Sequence, residues 1–128
     1  MLQDSAALSG FSTNDLAAAR EFYSTNLGLR VEDNPMGMLQ LMLTGRDTPI
    51  IIYPKADHQA ASYTILNFPV VDIEAAVDGL VAKGIVFEYY DGTTDSKGIA
   101  WGLKVNRGPN ISWFKDPAGN ILSVLQDK

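Results

Sequence analysis

The sequence predicts an α+β fold built from two copies of one β-α-β-β-β module, and three observations carry that expectation. First, the chain repeats itself. Residues 8–31, LSGFSTNDLAAAREFYSTNLGLRV, align with residues 65–87, ILNFPVVDIEAAVDGLVAKGIVF, so that Leu8 meets Ile65, Phe11 meets Phe68, Asp15 meets Asp72 and, after one dropped residue, Gly28 meets Gly84. Second, each copy places an Asp at the start of a helical stretch and a Gly at its end. A carboxylate there accepts free backbone N–H groups and meets the positive end of the helix dipole, and glycine tolerates the left-handed conformation beyond the last turn. Third, short apolar runs separated by turn residues follow each helix, as strands should.

The helices are read from period. Ile73, Ala76, Val77, Leu80 and Val81 follow the i, i+3, i+4, i+7, i+8 stripe of a helix with one buried face, and Leu16, Ala19, Tyr23 and Leu27 follow it more loosely. Two amphipathic helices with ordinary caps could align by chance, but a register held over about 20 residues argues for a true repeat. The strands expected after the first helix are 29–32, 37–43 and 49–53. After the second they are 85–90, 99–105, 111–114 and 120–126. The stretch DPAGN (116–120) is read as a structural turn, because Pro fixes φ after Asp and Gly-Asn supplies positive φ. The polar segment DGTTDSKG (91–98) is read as an exposed loop, with action as a lid the lesser possibility.

Composition sets limits on function. A chain of 128 residues suits one domain, here 1–128, with modules at about 5–55 and 62–128. The net charge of −5 argues against a nucleic-acid partner, whose phosphates need a basic face, and weakly favours a cationic ligand. There is no cysteine, so disulfides, thiolate metal sites and cysteine nucleophiles are excluded. Without a signal peptide or a run of about 20 apolar residues, the expected setting is cytoplasmic, with no membrane partner.

The segments NDLAAAREFYSTNLGL (14–29), VVDIEAAVDGLVAKGI (70–85) and WFKDPAGNIL (113–122) together resemble the vicinal oxygen chelate superfamily, which includes glyoxalase I, extradiol dioxygenases and bleomycin-resistance proteins. The resemblance implies that the paired modules form a curled mixed sheet around a central cup, and that the protein is a homodimer. Enzymes of the superfamily hold a divalent metal in the cup through His, Glu or Gln side chains from both modules. Carried over by position, those ligands fall on Leu8, on Ile52 or its neighbour Tyr53, on Ile65, and on Ser123. The three aliphatic side chains cannot bind a cation, and serine cannot carry a balancing charge. On this reading Ser123 marks a missing carboxylate. It is not a nucleophile, which would need a base nearby. The single histidine, His58, lies in the polar segment between modules and is expected to be solvated.

No metal and no cofactor is therefore expected, and no catalytic residue is assigned. Strand alternation places Gly10, Ser12, Asn67 and Pro69 on the cup side with positions 8 and 65, along with Ile121, Ser123 and Leu125. Phe11, Phe68 and Val70 are placed toward the helices. In 36–43 one face offers Met38, Gln40 and Met42, and the other offers Leu39, Leu41 and Leu43. The expected ligand-binding residues are Ser12, Gln40, Met42, Tyr53, Asn67, Trp101, Trp113 and Ser123. The two tryptophans supply stacking surfaces, with Trp101 the leading candidate. The expectation is a metal-free protein that sequesters a small, largely apolar or aromatic organic molecule. The alternatives are a metal-dependent glyoxalase-like lyase or extradiol-type dioxygenase with unrecognised ligands, and a dimeric module whose cup is filled by side chains. The acids Glu32, Asp33, Glu88 and Asp91 read as solvated surface, with no general acid–base pair among them.

Overall fold

A computed structural model describes residues 1–128. The chain resolves into two compact units, Met1–Gln59 and Ala60–Lys128. In the first, β1 (Gly10–Thr13) leads into α1 (Leu16–Glu21), which continues as one π turn (Phe22–Asn26), followed by β2 (Arg30–Asp33), β3 (Leu39–Met42) and β4 (Ile50–Pro54). In the second, β5 (Thr64–Pro69) leads into α2 (Ile73–Ala82), then β6 (Ile99–Trp101), a 3₁₀ turn (Gly102–Val105), β7 (Asn110–Lys115) and β8 (Ile121–Gln126). Each unit carries one mixed four-stranded sheet, in the orders β1-β4-β3-β2 and β5-β8-β7-β6, and in each the parallel pair joins the first strand to the last. The β-α-β-β-β plan thus appears in both units, as the repeat requires.

The helix starts follow local chemistry. Asp15 and Asp72 sit in extended backbone, and their carboxylates accept the N–H groups of Ala18 and Ala75 at 3.0 and 3.1 Å. Gly28 and Gly84 turn the chain beyond the helices at φ 71° and 92°, a region closed to most side chains. The π turn is visible as Leu27 N–H donating to the Phe22 carbonyl at 3.0 Å. It lies in the stretch where the apolar stripe is least regular, and it leaves Tyr23 fully buried, its ring centroid 5.9 Å from that of Phe11.

Register fixes the two faces of each sheet. Phe11 pairs with Ile52, and Ile52 with Leu39, so that one face of the first sheet carries the buried row toward α1. Ser12 pairs with Tyr53 and Gln40 with Ile51, which puts Ser12, Gln40, Met42 and Tyr53 on the opposite face. In the second sheet Phe68 pairs with Val124 and Phe114 with Leu122, against α2 and its buried Ile73 and Val77. Asn67, Ser123 and Trp113 form one cross-strand row on the other face.

Three expectations are corrected. Residues 85–90 do not form a strand: one bridge joins Phe87 to Phe114, and beyond it Tyr90 N–H turns to the Thr94 hydroxyl at 2.9 Å. The strand expected over 99–105 stops at Trp101. Gly102–Val105 winds into a 3₁₀ turn whose Leu103 N–H is held by Asn110 Oδ1 at 3.2 Å. Val81, at the end of the α2 stripe, is 55% exposed.

Candidate functional site

The second unit contains a cavity of about 510 Å³ beside the edge strand β6 and its neighbour β7. Its walls include Ala100 and Trp101 of β6, Ile111 and Trp113 of β7, and Val105, Arg107 and Pro109 from the connection between those strands. That connection is held by backbone chemistry. Asn106 takes the left-handed conformation at φ 53°, and Arg107 N–H returns to the Gly102 carbonyl at 3.0 Å. Gly102 is required there, since a Cβ at that position would lie 2.5 Å from the Pro109 carbonyl oxygen.

Trp101 is fixed from both sides. The backbone leaves the strand at this residue (φ −89°, ψ 67°), and the indole N–H donates to Asp95 Oδ2 at 2.7 Å. The other oxygen of Asp95 accepts the N–H groups of Lys97 and Ile99, each at 2.9 Å. Desolvation pushes the Asp95 carboxyl up, but the bonds from Trp101, Ile99 and Lys97, with the Lys97 charge, outweigh it and hold the group below the usual carboxylate range. The Lys104 ammonium stands 4.8 Å from the centre of the Trp101 ring. Trp113 meets Tyr90 edge to face at 5.4 Å.

The loop 91–98 is tied down at several points. Asp95 N–H bonds the Ile99 carbonyl at 2.9 Å, the Tyr89 hydroxyl bonds the Ser96 carbonyl, and Lys97 reaches Asp78 at 3.1 Å and Glu74 at 3.3 Å on α2. Gly98 packs so closely that a Cβ would stand 2.9 Å from the Glu88 carbonyl oxygen.

Of the residues expected to bind ligand, the structure brings Trp101 and Trp113 into this one cavity. Asn67 and Ser123 come together differently: Ser123 is fully buried, and its hydroxyl donates to Asn67 Oδ1 at 2.5 Å. Ser12, Gln40, Met42 and Tyr53 share the face of the first sheet that lies away from α1. Sequence reasoning passed over Arg107, which lies between the strands expected at 99–105 and 111–114, in a segment, NRGPN, whose composition carries no signal beyond that of a turn. It also misplaced His58, expected to be solvated: the side chain is half-buried, and its Nδ1 lies 2.5 Å from the Ser12 hydroxyl. A contact between residues 46 positions apart leaves no local trace.

The positions onto which the resemblance carries metal ligands are distributed as follows. Leu8 precedes β1 and is 54% exposed. Ile52 lies in the buried row facing α1, so of that pair only Tyr53 is on the opposite face. Ile65 is the extra residue where the β5–β8 register shifts between Thr64 and Leu66. No group of three or more His, Asp or Glu side chains is gathered that could hold a metal ion. The side chains at those four positions do not supply the imidazole and carboxylate donors that a divalent cation takes. Three of the acids weighed for acid–base work are paired with cations: Asp33 with Arg20, Glu32 with Arg30 at 2.5 Å, and Glu88 with Lys115 at 3.4 Å.

Two β-α-β-β-β units, each with one helix and one mixed four-stranded sheet, place the chain among small α+β proteins. The family model of the Glyoxalase/Bleomycin resistance protein/Dioxygenase superfamily matches residues 6–124, and the chain belongs to that superfamily. Among solved structures, it is similar to TnmS3, an antibiotic binding protein from Streptomyces sp. CB03234, at 20% identity and a TM-score of 0.70, covering 100% of this chain and 99% of that one. It is also similar to a putative glyoxalase family protein from Bacillus anthracis (17% identity, TM-score 0.66, 95% of each chain). A superfamily member from Sphaerobacter thermophilus DSM 20745 gives 19% identity and a TM-score of 0.66, over 99% of this chain and 100% of that one. At such identities the likeness concerns the fold. Comparison with curated proteins found no match. No helix is long and apolar enough to cross a membrane.

Proposed function

We propose that this protein is a metal-free binding protein of the glyoxalase/bleomycin-resistance type, which sequesters a small, largely apolar or aromatic molecule as a cytoplasmic homodimer. The observation that carries the reading is the cavity of about 510 Å³ walled by Trp101, Trp113, Val105, Pro109 and Ile111. That volume lies in the range of small-molecule pockets, and apolar walls with few polar groups are their usual make-up. Trp101 is held in orientation before any ligand arrives, which lowers the ordering cost of binding. The description of TnmS3 as an antibiotic binding protein supports the same reading.

A thermal-shift screen of planar organic compounds tests it, since whatever binds only the folded state raises its melting temperature. Hits are then followed by tryptophan emission in Trp101→Phe and Trp113→Phe variants. Compounds that stabilise the protein are expected to quench whichever tryptophan remains. Stabilising compounds that quench neither would place the ligand elsewhere and overturn the assignment of this cavity. Sedimentation of the free and liganded protein reads the dimer directly, and a monomer in both states would remove that element of the proposal.

A further inference from the structure

We infer that the cavity takes a planar aromatic anion, with the arene against the tryptophans and its acidic group on Arg107. The inference rests on the cavity being the ligand site and adds the charge of the ligand.

The whole-chain balance of −5 favours a cation, but the local balance has the opposite sign. Arg107 lines the cavity and forms no ion pair within the chain, unlike Arg20, Arg30, Lys55, Lys97 and Lys115, which all meet carboxylates. Its backbone is fixed by the return bond to Gly102, so its side chain starts from a set place at the cavity wall. A second cation, the Lys104 ammonium, stands against the Trp101 ring. The carboxylate bonded to Trp101, Asp95, has both oxygens engaged, one by the indole and one by two backbone N–H groups. The Trp113 indole N–H has no hydrogen-bond partner within the chain, which leaves one more donor on the lining.

A cationic ligand would meet Arg107 and find Lys104 already at the Trp101 ring. A neutral arene would use the stacking surface and leave the guanidinium to water. A carboxylate on the arene matches the planar fork of Arg107 with two parallel N–H···O bonds, a geometry an ammonium cannot offer.

The test compares three probes of one size: 2-naphthoate, its neutral methyl ester and cationic 2-naphthylmethylammonium. Binding is followed by NMR shifts of the two indole N–H signals, assigned with Trp101→Phe and Trp113→Phe. Naphthoate is expected to bind about five- to tenfold more tightly than the ester, the scale of one charge-assisted contact at a partly exposed site. That advantage should shrink as salt is raised. In Arg107→Gln, an exposed position where folding is checked by melting, the advantage disappears while ester affinity holds. Equal affinity of acid and ester, tightest binding by the ammonium, or an advantage that survives Arg107→Gln would each overturn the charge assignment and leave the cavity reading standing. If none of the probes moves either indole signal, both readings fall.

Discussion

Asp95 is an exposed carboxylate whose interactions position an aromatic side chain. It takes the Trp101 indole N–H on one oxygen and closes its own turn with the other, as Asp residues do in Asx-type turns. Because its folded-state pKa is lowered, its contribution to stability is fully present above the unfolded carboxylate value. The contribution is lost as pH falls through the lower folded value. In a Trp113→Phe background, Trp101 emission should therefore stay level through the ordinary carboxylate range and change only at more acid pH. Asp95→Asn should abolish that acid transition. A transition that persists in Asp95→Asn would mean that another group holds the indole. The capping carboxylates Asp15 and Asp72 could be read from sequence because a cap acts within three residues of itself. The Asp95–Trp101 bond spans only six residues yet was not foreseen, since it depends on the chain turning at Gly98 rather than on spacing.

Among the elements, the connection between β6 and β7 controls the cavity. Sequence alternation continues the strand through Val105, but Gly102 lets the backbone of Gly108 and Pro109 approach to distances no Cβ would allow, and the chain winds into a 3₁₀ turn. Gly102→Ala would place a methyl group 2.5 Å from the Pro109 carbonyl oxygen, so the turn must shift. We expect a loss of about 1–3 kcal/mol in urea unfolding, the usual range for overpacking, together with a moved Trp101 indole signal. Asn106→Gly, at φ 53°, serves as the control and should change stability far less, because glycine enters the left-handed region freely. Unchanged stability in Gly102→Ala would mean that the connection is softer than its packing indicates. The misreading of 85–90 has a related cause: the run IVFEYY is apolar enough for a strand, but Tyr89 and Tyr90 are drawn into the turn by Ser96 and Thr94. An apolar run cannot tell a ladder from a single bridge.

Over the whole molecule, the repeat was the most legible feature, because helix period, caps and glycine stops are local and occur twice. Which strand residues share a row depends on register, and there the sequence was readable only in part. Ser12 and Tyr53 do share a face, as do Asn67, Ser123 and Trp113, whereas Ile52 faces the helix and Ile65 falls at a register shift. The donor chemistry bears on the metal question most directly. The superfamily includes chelating enzymes, yet this chain has one histidine, and its Nδ1 already contacts Ser12. A cation that binds only the folded state stabilises it by RT ln(1 + [M]/Kd), about 2.7 kcal/mol at a hundredfold excess over Kd, which would raise the melting temperature by several degrees. Scans with Zn, Ni, Mn and ferrous ions, and with a chelator, are expected to give one unchanged melting temperature, and calorimetric titration no micromolar site. A rise of several degrees with a single ion, reversed by the chelator, would require carboxylates now paired with Arg or Lys to leave their partners and converge, and would move the protein to the enzyme side of its superfamily.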